Sequence, residues 1–312
     1  MRPERWERNG HKHMSKTDNK GLLGRLALLV TTLIWGSSFV IQKSALDSIP
    51  TLWILAVRFC GAAVILLAAC GKKLRKLDRE YIRGGVVMGV CVSAAYAVQT
   101  FGLVYTTPGK NAFLTATYCV MVPFLAWGIN KKKPDVYNIA AALLCIIGIG
   151  FVSLGKDLSV NVGDLLTICC GLFYGLHIIA TDKYVEGRDP LVLTALQFAV
   201  GGVIFLTSAL LTEPFPASAP SGAWFEITYL CVMCSAVCFL LQTVGQKYTP
   251  PSAAAVIMTL ESVFGTVISI IFYHERLTAA IAAGFVIIFV SIIISETKLS
   301  FIKRNAEKTG AQ

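Results

Sequence analysis

Two ionisable side chains, Arg58 and Glu261, lie near the middle of long apolar stretches. A charged side chain at the centre of a membrane-spanning helix costs about 2.5–3.5 kcal/mol on insertion scales, so each is expected to have a partner or a role. They either pair with each other or bind opposite charges on a substrate, an amine at Glu261 and a carboxylate at Arg58. A buried ion pair that only fixes the packing is the structural alternative. Glu261 is also the candidate for carrying a proton, with His177 second.

Further polar and aromatic side chains recur on these stretches at intervals of three and four residues, the spacing of one helix face. Because the hydrocarbon core holds no water, such a face should point toward protein or a wet cavity. The stripes are Trp35, Ser38 and Gln42; Tyr174, His177 and Thr181; Asn111, Thr115 and Tyr118; and Ala254, Met258 and Glu261. They predict one central cavity. The predicted lining residues are Trp35, Ser38, Arg58, Tyr96, Gln99, Thr115, Tyr118, Tyr174, His177, Gln197, Gln242, Met258 and Glu261.

Several of these positions also have a purely structural interpretation. A Gln or Thr in a membrane helix often only bridges neighbouring helices, which stabilises by about 0.6 kcal/mol on average, and this alternative stays open for Gln99 and Gln242. His177 alone fits an interhelical hydrogen bond better than a proton carrier. Trp35 and Tyr174 lie too deep for an interfacial belt, which favours a place in the cavity wall.

A ten-residue motif occurs twice in the chain, as QTFGLVYTTP from Gln99 to Pro108 and as QTVGQKYTPP from Gln242 to Pro251. Other pairs match at a similar offset: Trp35-Gly36 with Tyr174-Gly175, and Arg58-Phe59 with Gln197-Phe198. A period of about 140 residues is too long for a solenoid repeat. The chain is therefore interpreted as two fused copies of one half.

The composition is that of a membrane protein. The 312 residues are 55% apolar and only 15% charged, with a mean hydropathy of +0.66, whereas a soluble protein carries about 25% charged residues. Apolar segments of about 20 residues, the length that crosses the hydrocarbon core, alternate with short polar breaks. The fourth and ninth segments are predicted to begin at Pro108 and Pro251, with a kink at Pro123. The ten segments are 24–43, 51–70, 83–103, 109–129, 136–154, 163–182, 190–211, 223–246, 251–273 and 277–296.

Lys and Arg residues set the expected orientation. When the segments alternate across the membrane, most of the 28 Lys and Arg residues fall on one side, including the 71–83 loop and the run from Lys131 to Lys133. That side is predicted to be the cytoplasm, with both termini in it. The net charge of +10 is then a topology signal that requires no nucleic acid. Five helices per half force the second half to enter from the opposite side, and such inverted repeats are characteristic of secondary transporters with a midplane substrate site.

Neither the ten cysteines nor any catalytic motif adds chemistry to this picture. Nearly all cysteines lie inside apolar segments, where small polarisable side chains suit helix contacts. Cys231, Cys234 and Cys238 share one helix face but have no nearby His and no second pair on a loop, so we expect no metal site. The sequence contains no Walker loop, HExxH motif or nucleophile elbow. We therefore expect no catalytic residues and no cofactor.

Four stretches carry a family signature: LIWGSSFVIQK (33–43), the Arg58-Phe59 pair, the twin QTxGxxYTxP motifs and LESVFGTVISIIFYHERLT (260–278). On these residues the chain resembles the EamA family of the drug/metabolite transporter superfamily. In the last stretch Ser262 and His274 replace the usual Pro and Gly, and the change at Ser262 is expected to straighten that helix.

The resemblance implies an all-α polytopic membrane protein with ten transmembrane helices, arranged as two inverted five-helix repeats around a central cavity. Helices five and ten would pack at the periphery. The implied division is a disordered basic cytoplasmic tail over 1–21, a first repeat over 22–155, a second repeat over 162–297 and a basic cytoplasmic tail over 298–312. The resemblance also implies transport of amino acids or other small metabolites by alternating access.

The combined prediction is a secondary transporter of the plasma or inner membrane that exports a small metabolite such as an amino acid. Its expected partners are that small-molecule substrate and the lipid bilayer, with protons as the candidate coupling ion, no nucleic acid, and a monomeric state. A broad-specificity drug exporter would have a more aromatic cavity. A non-transporting sensor or scaffold would need a cytoplasmic domain, for which the loops are too short. An intramembrane enzyme would need facing catalytic groups, and Glu261 with His177 is the thin candidate.

Overall fold

The structure is a computed structural model that describes residues 7–131, 133–153, 161–249 and 251–298. Every regular element in these ranges is helical. The tail predicted over 298–312 lies outside the described residues apart from Lys298.

The first half contains six α-helices, with a short 3-10 helix (Gly71–Lys76) between the second and third. Part of the range 1–21, predicted to be disordered, is described as helix, because the first helix continues outward from the span Lys20–Leu46 and adding a residue to an existing helix gains one hydrogen bond per residue fixed. The helices are α1 (Glu7–Leu46), α2 (Thr51–Cys70), α3 (Arg79–Tyr105), α4 (Pro108–Thr115), α5 (Tyr118–Asn130) and α6 (Val136–Ser153).

The second half repeats this order with one difference, a π-helical segment (Leu230–Val237) in the middle of its third span. Its α-helices are α7 (Val162–Val185), α8 (Pro190–Thr212), α9 (Ser221–Tyr229), α10 (Cys238–Tyr248), α11 (Pro251–Phe272) and α12 (Ala279–Thr297).

Helix starts follow the local sequence. Proline opens α4, α8 and α11, as predicted for Pro108 and Pro251, because the N–H that proline lacks has no partner in a first turn. The Asn161 side chain accepts hydrogen bonds from the N–H groups of Gly163 and Asp164 and so caps α7.

The ten predicted spans are found within the described ranges. Eight helical stretches are long and apolar enough to cross a membrane, and α11 and α12 contain shorter apolar stretches, Ile257–Phe272 and Ala279–Ser295. The helices α4 and α5 together form the fourth span, and α9, the π-helical segment and α10 form the eighth. The ten-helix prediction is confirmed.

The interruption of the fourth span lies elsewhere than predicted. The helix breaks at Ala116 and Thr117, before Pro123, which sits inside α5. The Thr117 hydroxyl donates to the carbonyl oxygen of Leu114 at 2.6 Å, a local bond that competes with the helical ladder. In the ninth span, α11 is continuous through Ser262, as expected for a helix without the family's proline.

Helix packing follows the internal repeat. The helices α2 and α8 are counterparts and pack on each other, as do α6 and α12, while the contact of α3 with α7 corresponds to that of α10 with α1. The pair α6 and α12 packs closely at Gly148 and Gly284, because a Cβ atom at Gly148 would lie 3.0 Å from the Gly284 carbonyl oxygen. The two halves are therefore inverted repeats related by a pseudo-two-fold axis in the membrane plane.

Candidate functional site

A cavity lies between the two halves, and both halves contribute to its wall. It has about 530 Å³ of empty volume, but the centre of a water molecule can reach only about 30 Å³ of it. Since one water needs about 10–15 Å³ of such space, this conformation has room for a few waters, and a metabolite requires side chains to move. The lining residues are Trp35, Ser38, Phe39, Gln42, Arg58, Tyr96, Gln99, Thr115, Tyr118, Tyr174, His177, Ile178, Phe239, Gln242, Met258 and Glu261.

Of the residues predicted from the sequence, all except Gln197 line this cavity. To the predicted lining list the structure adds Gln42, which lies on a predicted stripe, and the apolar residues Phe39, Ile178 and Phe239, which a pattern of polar side chains does not reveal. Asn111, on a predicted stripe, points elsewhere: its amide donates to Thr167 at 2.7 Å and to the Gln99 carbonyl oxygen at 3.3 Å. Whether the lining residues bind substrate stays a prediction.

Arg58 is held by three polar side chains from three helical segments. Its guanidinium donates to the amide oxygen of Gln42, to the Ser235 hydroxyl at 3.2 Å and to the Tyr96 hydroxyl at 3.3 Å. The Tyr96 ring also lies 4.8 Å from the guanidinium carbon, within cation–π range. The side chain is 1% exposed, yet all three polar partners are neutral. No ion pair joins Arg58 to Glu261 among the described side chains, so this conformation lacks the pairing that was one of the two alternatives.

The π-helical segment positions one contact of Arg58 and one contact of Trp35, another lining residue. In a π-helix the backbone bonds run from i to i+5, which shifts the ladder locally. Here the Ser235 hydroxyl donates to the Leu230 carbonyl oxygen at 2.9 Å while it accepts from Arg58, and the Trp35 indole donates to the Cys234 carbonyl oxygen at 2.8 Å. The sequence carries no signal for this feature, since LCVMCSAV also suits an ordinary α-helix.

Glu261 faces the cavity from α11 and is 6% exposed. Within the described part of the chain its carboxyl group has neither a hydrogen bond nor an ion pair. A carboxyl group in this position is either neutral or in need of a cationic ligand. Glu261 is thus the lining residue whose side chain is available to bind a cationic group of a ligand.

The two motif glutamines have different surroundings. Gln99 donates to the Thr115 hydroxyl at 3.0 Å and accepts from the Tyr174 hydroxyl at 2.9 Å, which makes it a bridge between helices. Its counterpart Gln242 is buried, and its side-chain oxygen has no hydrogen-bond partner among the described residues. The bridging interpretation therefore holds for Gln99, and Gln242 offers an acceptor at the cavity wall.

His177 is oriented from behind the cavity by Gln197. One ring nitrogen, Nε2, lies 2.8 Å from the Gln197 side-chain oxygen, and the other, Nδ1, has no partner in the described structure. Gln197, the predicted residue that does not line the cavity, therefore positions a residue that does.

A second, wider cavity opens below the first, next to the loop between α5 and α6. Water centres can reach about 250 Å³ of it. We call it the vestibule. Its lining residues are Tyr118, Cys119, Val122, Pro123, Ala126, Lys133, Pro134, Asp135, Asn138, Ile178, Asp182, Gln246, Thr249, Met258, Ser295 and Lys298.

The opposite end of the molecule is closed by buried polar contacts around the turn between α3 and α4, which we call the sealed end. The fully buried carboxylate of Asp164 accepts hydrogen bonds from Thr106 and, at 2.9 Å, from the Lys110 ammonium. The Glu275 carboxylate accepts from the Thr107 hydroxyl and, at 2.9 Å, from the Gly109 N–H.

A third contact at the sealed end comes from α1. The Lys43 ammonium donates to the carbonyl oxygens of Leu103, Val104 and Thr106 at 2.7–3.1 Å. It thereby caps the last turn of α3, where unpaired carbonyl oxygens favour a positive charge.

Cysteine side chains contribute to packing in the described structure. The Cys231 sulfur lies 2.4 Å from where a Cβ atom at Gly61 would be, so α2 and the π-helical segment meet there in close contact. Within the described residues, no group of three or more His, Cys, Asp or Glu side chains could hold a metal ion.

The fold and the cavity define a multi-pass membrane protein of inverted repeats around an internal cavity, the architecture of secondary transporters. The model of the EamA-like transporter family matches residues 22–154 and 161–297. The chain therefore belongs to the EamA-like transporter family, and it is a membrane transporter.

Individual relatives of the chain are also transporters by name. The chain is 33% identical over 283 residues to an uncharacterized transporter of Archaeoglobus fulgidus, covering 88% of this chain and 86% of that protein. It is 26% identical over 289 residues to the uncharacterized transporter YvbV of Bacillus subtilis, covering 88% and 92% of the two chains. A solved crystal structure superposes with a TM-score of 0.67 at 13% identity, covering 88% of this chain and 98% of the other, which supports the fold.

Proposed function

We propose that this transporter exports a small amphipathic metabolite that carries both an amine and a carboxylate, such as an amino acid, by alternating access through the central cavity. It would act as a monomer in the plasma or inner membrane, with both termini in the cytoplasm and without a nucleic-acid partner. Its activity would be transport and not catalysis. In this orientation the vestibule opens to the cytoplasm.

The observation that carries the proposal is that Arg58 and Glu261 face one cavity without pairing. Each is nearly fully buried, and within the described residues neither has an oppositely charged partner. An uncompensated buried charge is costly. A zwitterionic ligand offsets both charges at once, with its amine at Glu261 and its carboxylate at the guanidinium N–H groups that Gln42, Ser235 and Tyr96 leave unused.

The rest of the wall suits the apolar part of such a ligand. Trp35, Tyr96, Tyr174 and Phe239 form a connected set of rings, with centroids 5.0 Å apart for Trp35 and Phe239 and 5.8 Å apart for Tyr96 and Tyr174. Binding sites for small molecules are mostly apolar and aromatic, with a few placed polar groups that fix the orientation. This cavity has that composition.

Proton coupling through Glu261 is part of the proposal, with His177 as the second candidate. A buried carboxyl group can exchange its proton for the amine of a substrate, so that one cationic ligand leaves as another enters. If the rate and stoichiometry of transport do not depend on the pH gradient across proteoliposomes, coupling through Glu261 is wrong.

The test is ligand stabilisation of the purified protein in detergent. Amino acids, nucleosides, polyamines and cationic drugs are screened by thermal unfolding, since a ligand at a hundred times its Kd adds about 2.7 kcal/mol of stability. We expect amino acids to raise the midpoint. We expect Glu261→Gln to abolish the shift, and Glu186→Gln, at an exposed glutamate, to leave it unchanged.

The alternative is a broad exporter of organic cations, which the connected rings and the unpaired Glu261 also suit. In that case cations without a carboxylate would stabilise the protein, and Arg58→Lys would leave their effect intact. Stabilisation by amino acids that is lost in Arg58→Lys supports the zwitterionic substrate. Stabilisation that survives both Glu261→Gln and Arg58→Lys would contradict the proposed site.

A further inference from the structure

The central cavity and the vestibule share only three of the lining residues described above, Tyr118, Ile178 and Met258. These side chains come from three helices, α5, α7 and α11. Tyr118 and Met258 are each 3% exposed. The three residues, which we call the septum, therefore separate a space with room for a few waters from one that is about eight times as large in the volume open to water.

At the other end of the central cavity lie the polar contacts of the sealed end. The contacts of Lys43, Lys110, Asp164 and Glu275 close it and include a fully buried carboxylate. Passage there would require buried charges to separate, which costs more than the displacement of an apolar side chain. In this conformation, passage through the septum therefore costs less free energy than passage through the sealed end.

We propose that the substrate passes between the vestibule and the central cavity at the septum, and that Tyr118, Ile178 and Met258 select solutes by size. This inference rests on the proposed function, because it names the path to the same cavity. Two of the three side chains are apolar, and none of the three is charged. They therefore discriminate between solutes by width and not by charge.

The positions of the septum residues connect the path to the binding groups. Met258 lies one helical turn before Glu261 on α11, and Ile178 directly follows His177 on α7. Methionine is unbranched and adapts its shape more readily than other apolar side chains. A rotamer change at Met258 would therefore open the septum directly beside the unpaired carboxyl group.

The experiment uses a reporter cysteine in the cavity wall, Ser38→Cys, in the full chain in proteoliposomes. Membrane-impermeant thiol reagents of a small and a bulky size are added from one side or the other, with the unmodified protein as the blank for its native cysteines. Lys133→Cys marks the vestibule side, and Asp47→Cys, at an exposed position beyond α1, marks the sealed side.

We expect Ser38→Cys to react from the vestibule side and, much more slowly, from the sealed side. Adding Ile178→Ala or Met258→Ala should raise the rate for the bulky reagent by about tenfold, the effect of a barrier lower by about 1.4 kcal/mol, and raise the rate for the small reagent less. Met258→Leu, which keeps the volume, should behave like the parent and shows that the position tolerates change.

Matched controls come from a lateral apolar groove, at residues that line neither the central cavity nor the vestibule. Met121 and Ile149 line this groove, and Met121→Ala and Ile149→Ala should leave the labelling rates unchanged. Equal labelling from both sides, or septum variants that change the rates no more than these controls, would overturn the proposal.

The labelling needs no substrate, so the two proposals fail separately. Loss of the septum effect leaves ligand stabilisation through Glu261 intact. If the ligand screen fails, thiol labelling of Ser38→Cys still measures whether the path to the cavity selects by size.

Discussion

The two copies of the repeated motif end in opposite environments. In the first copy the Thr106 hydroxyl donates a hydrogen bond to the Asp164 carboxylate, and the Thr107 hydroxyl donates one to the Glu275 carboxylate. These bonds close the turn. In the second copy Thr249 lines the vestibule and its hydroxyl has no partner in the described structure. Two motif copies that share six of their ten residues thus form a seal at one end of the molecule and an open mouth at the other.

The difference has one source within the motif and one outside it. Within it, the position of Thr107 is taken in the second copy by Pro250, which has no hydroxyl group. Outside it, Lys43 caps the carbonyl oxygens that end α3, and the residue at the corresponding position of the second half is Asp182, which also lines the vestibule. A carboxylate at that position cannot donate to carbonyl oxygens and would be repelled by the negative end of a helix. The inverted repeat therefore supplies two similar hinges, and this substitution and the charges around each hinge decide which end closes in this conformation.

The largest expected effect follows from breaking the buried ion pair at the sealed end. Asp164→Ala leaves Lys110 without its partner and should lower the free energy of unfolding by about 3–5 kcal/mol. It should also open the sealed end to thiol reagents. Reversible unfolding in mixed micelles measures the first effect, and labelling of Ser38→Cys from the sealed side measures the second.

The matched control is Asp182→Ala at the vestibule end. Asp182 is exposed and pairs with no described cation, so this change should cost less than about 0.5 kcal/mol. Equal losses from both alanine variants would show that the sealed end is not held by its charges.

The parts of this comparison differ in how far the sequence reveals them. The ten spans and the cavity wall follow from apolar segment length and from polar residues spaced by three and four, because a membrane leaves such residues few places to face. The seal was not predicted, because its four charged residues lie at the ends of different apolar segments: Lys43, Lys110, Asp164 and Glu275. Their contacts join residues far apart in the chain, so only the tertiary packing shows that they meet.

The second prediction compares the same residue in the two motif copies. Thr106→Val removes a hydrogen bond to a buried carboxylate and should cost about 1.5–3 kcal/mol. Thr249→Val replaces a buried hydroxyl that lacks a described partner and should be neutral or slightly stabilising. The difference between the two unfolding free energies is the measurement. A larger loss at Thr249 than at Thr106 would contradict the assignment of the sealed and open ends.

Local conformation is the other feature that sequence did not reveal. The break at Ala116 and Thr117 and the π-helical segment arise in stretches whose residues also suit regular helix. Pro123, the visible helix breaker, lies beyond the break. Both irregularities touch the cavity, since Tyr118 follows the break and Ser235 holds Arg58. Consistency of sequence and structure is expected to fail first near such sites.

The third prediction concerns the equivalent glycines Gly36 and Gly175. A Cβ atom at Gly36 would lie 2.6 Å from the Cβ of Phe264 and 3.0 Å from the Gly265 nitrogen, contacts that little can relieve. At Gly175 the nearest atom, at 2.7 Å, is a terminal methyl of Leu125, which can rotate away. We expect Gly36→Ala to cost about 1–3 kcal/mol by overpacking. Gly175→Ala should change the unfolding midpoint little. A larger loss of stability in Gly175→Ala than in Gly36→Ala would contradict the packing described at these two glycines.

The smallest effect is expected at the mouth of the vestibule, where Lys298 and Asp135 pair at 2.5 Å. Partial burial raises the pKa of Asp135, but hydrogen bonds from Lys298 and from the N–H groups of Asn138 and Tyr137 outweigh it and hold the pKa below its ordinary value. Both side chains are well exposed, so the pair is worth about 0–1 kcal/mol. Lys298→Ala should therefore cost far less than Asp164→Ala, although each breaks one Lys–Asp pair.

The pH dependence gives the sign of this contribution. Because the pKa of Asp135 is lowered in the folded state, the pair stabilises fully above the ordinary aspartate value of about 3.9 and loses its effect as the pH falls through the lowered pKa. The midpoint difference between the parent and Lys298→Ala should thus be present at neutral pH, shrink on acidification and shrink in high salt. A difference that grows on acidification would show that Lys298 stabilises the vestibule end through contacts other than this carboxylate.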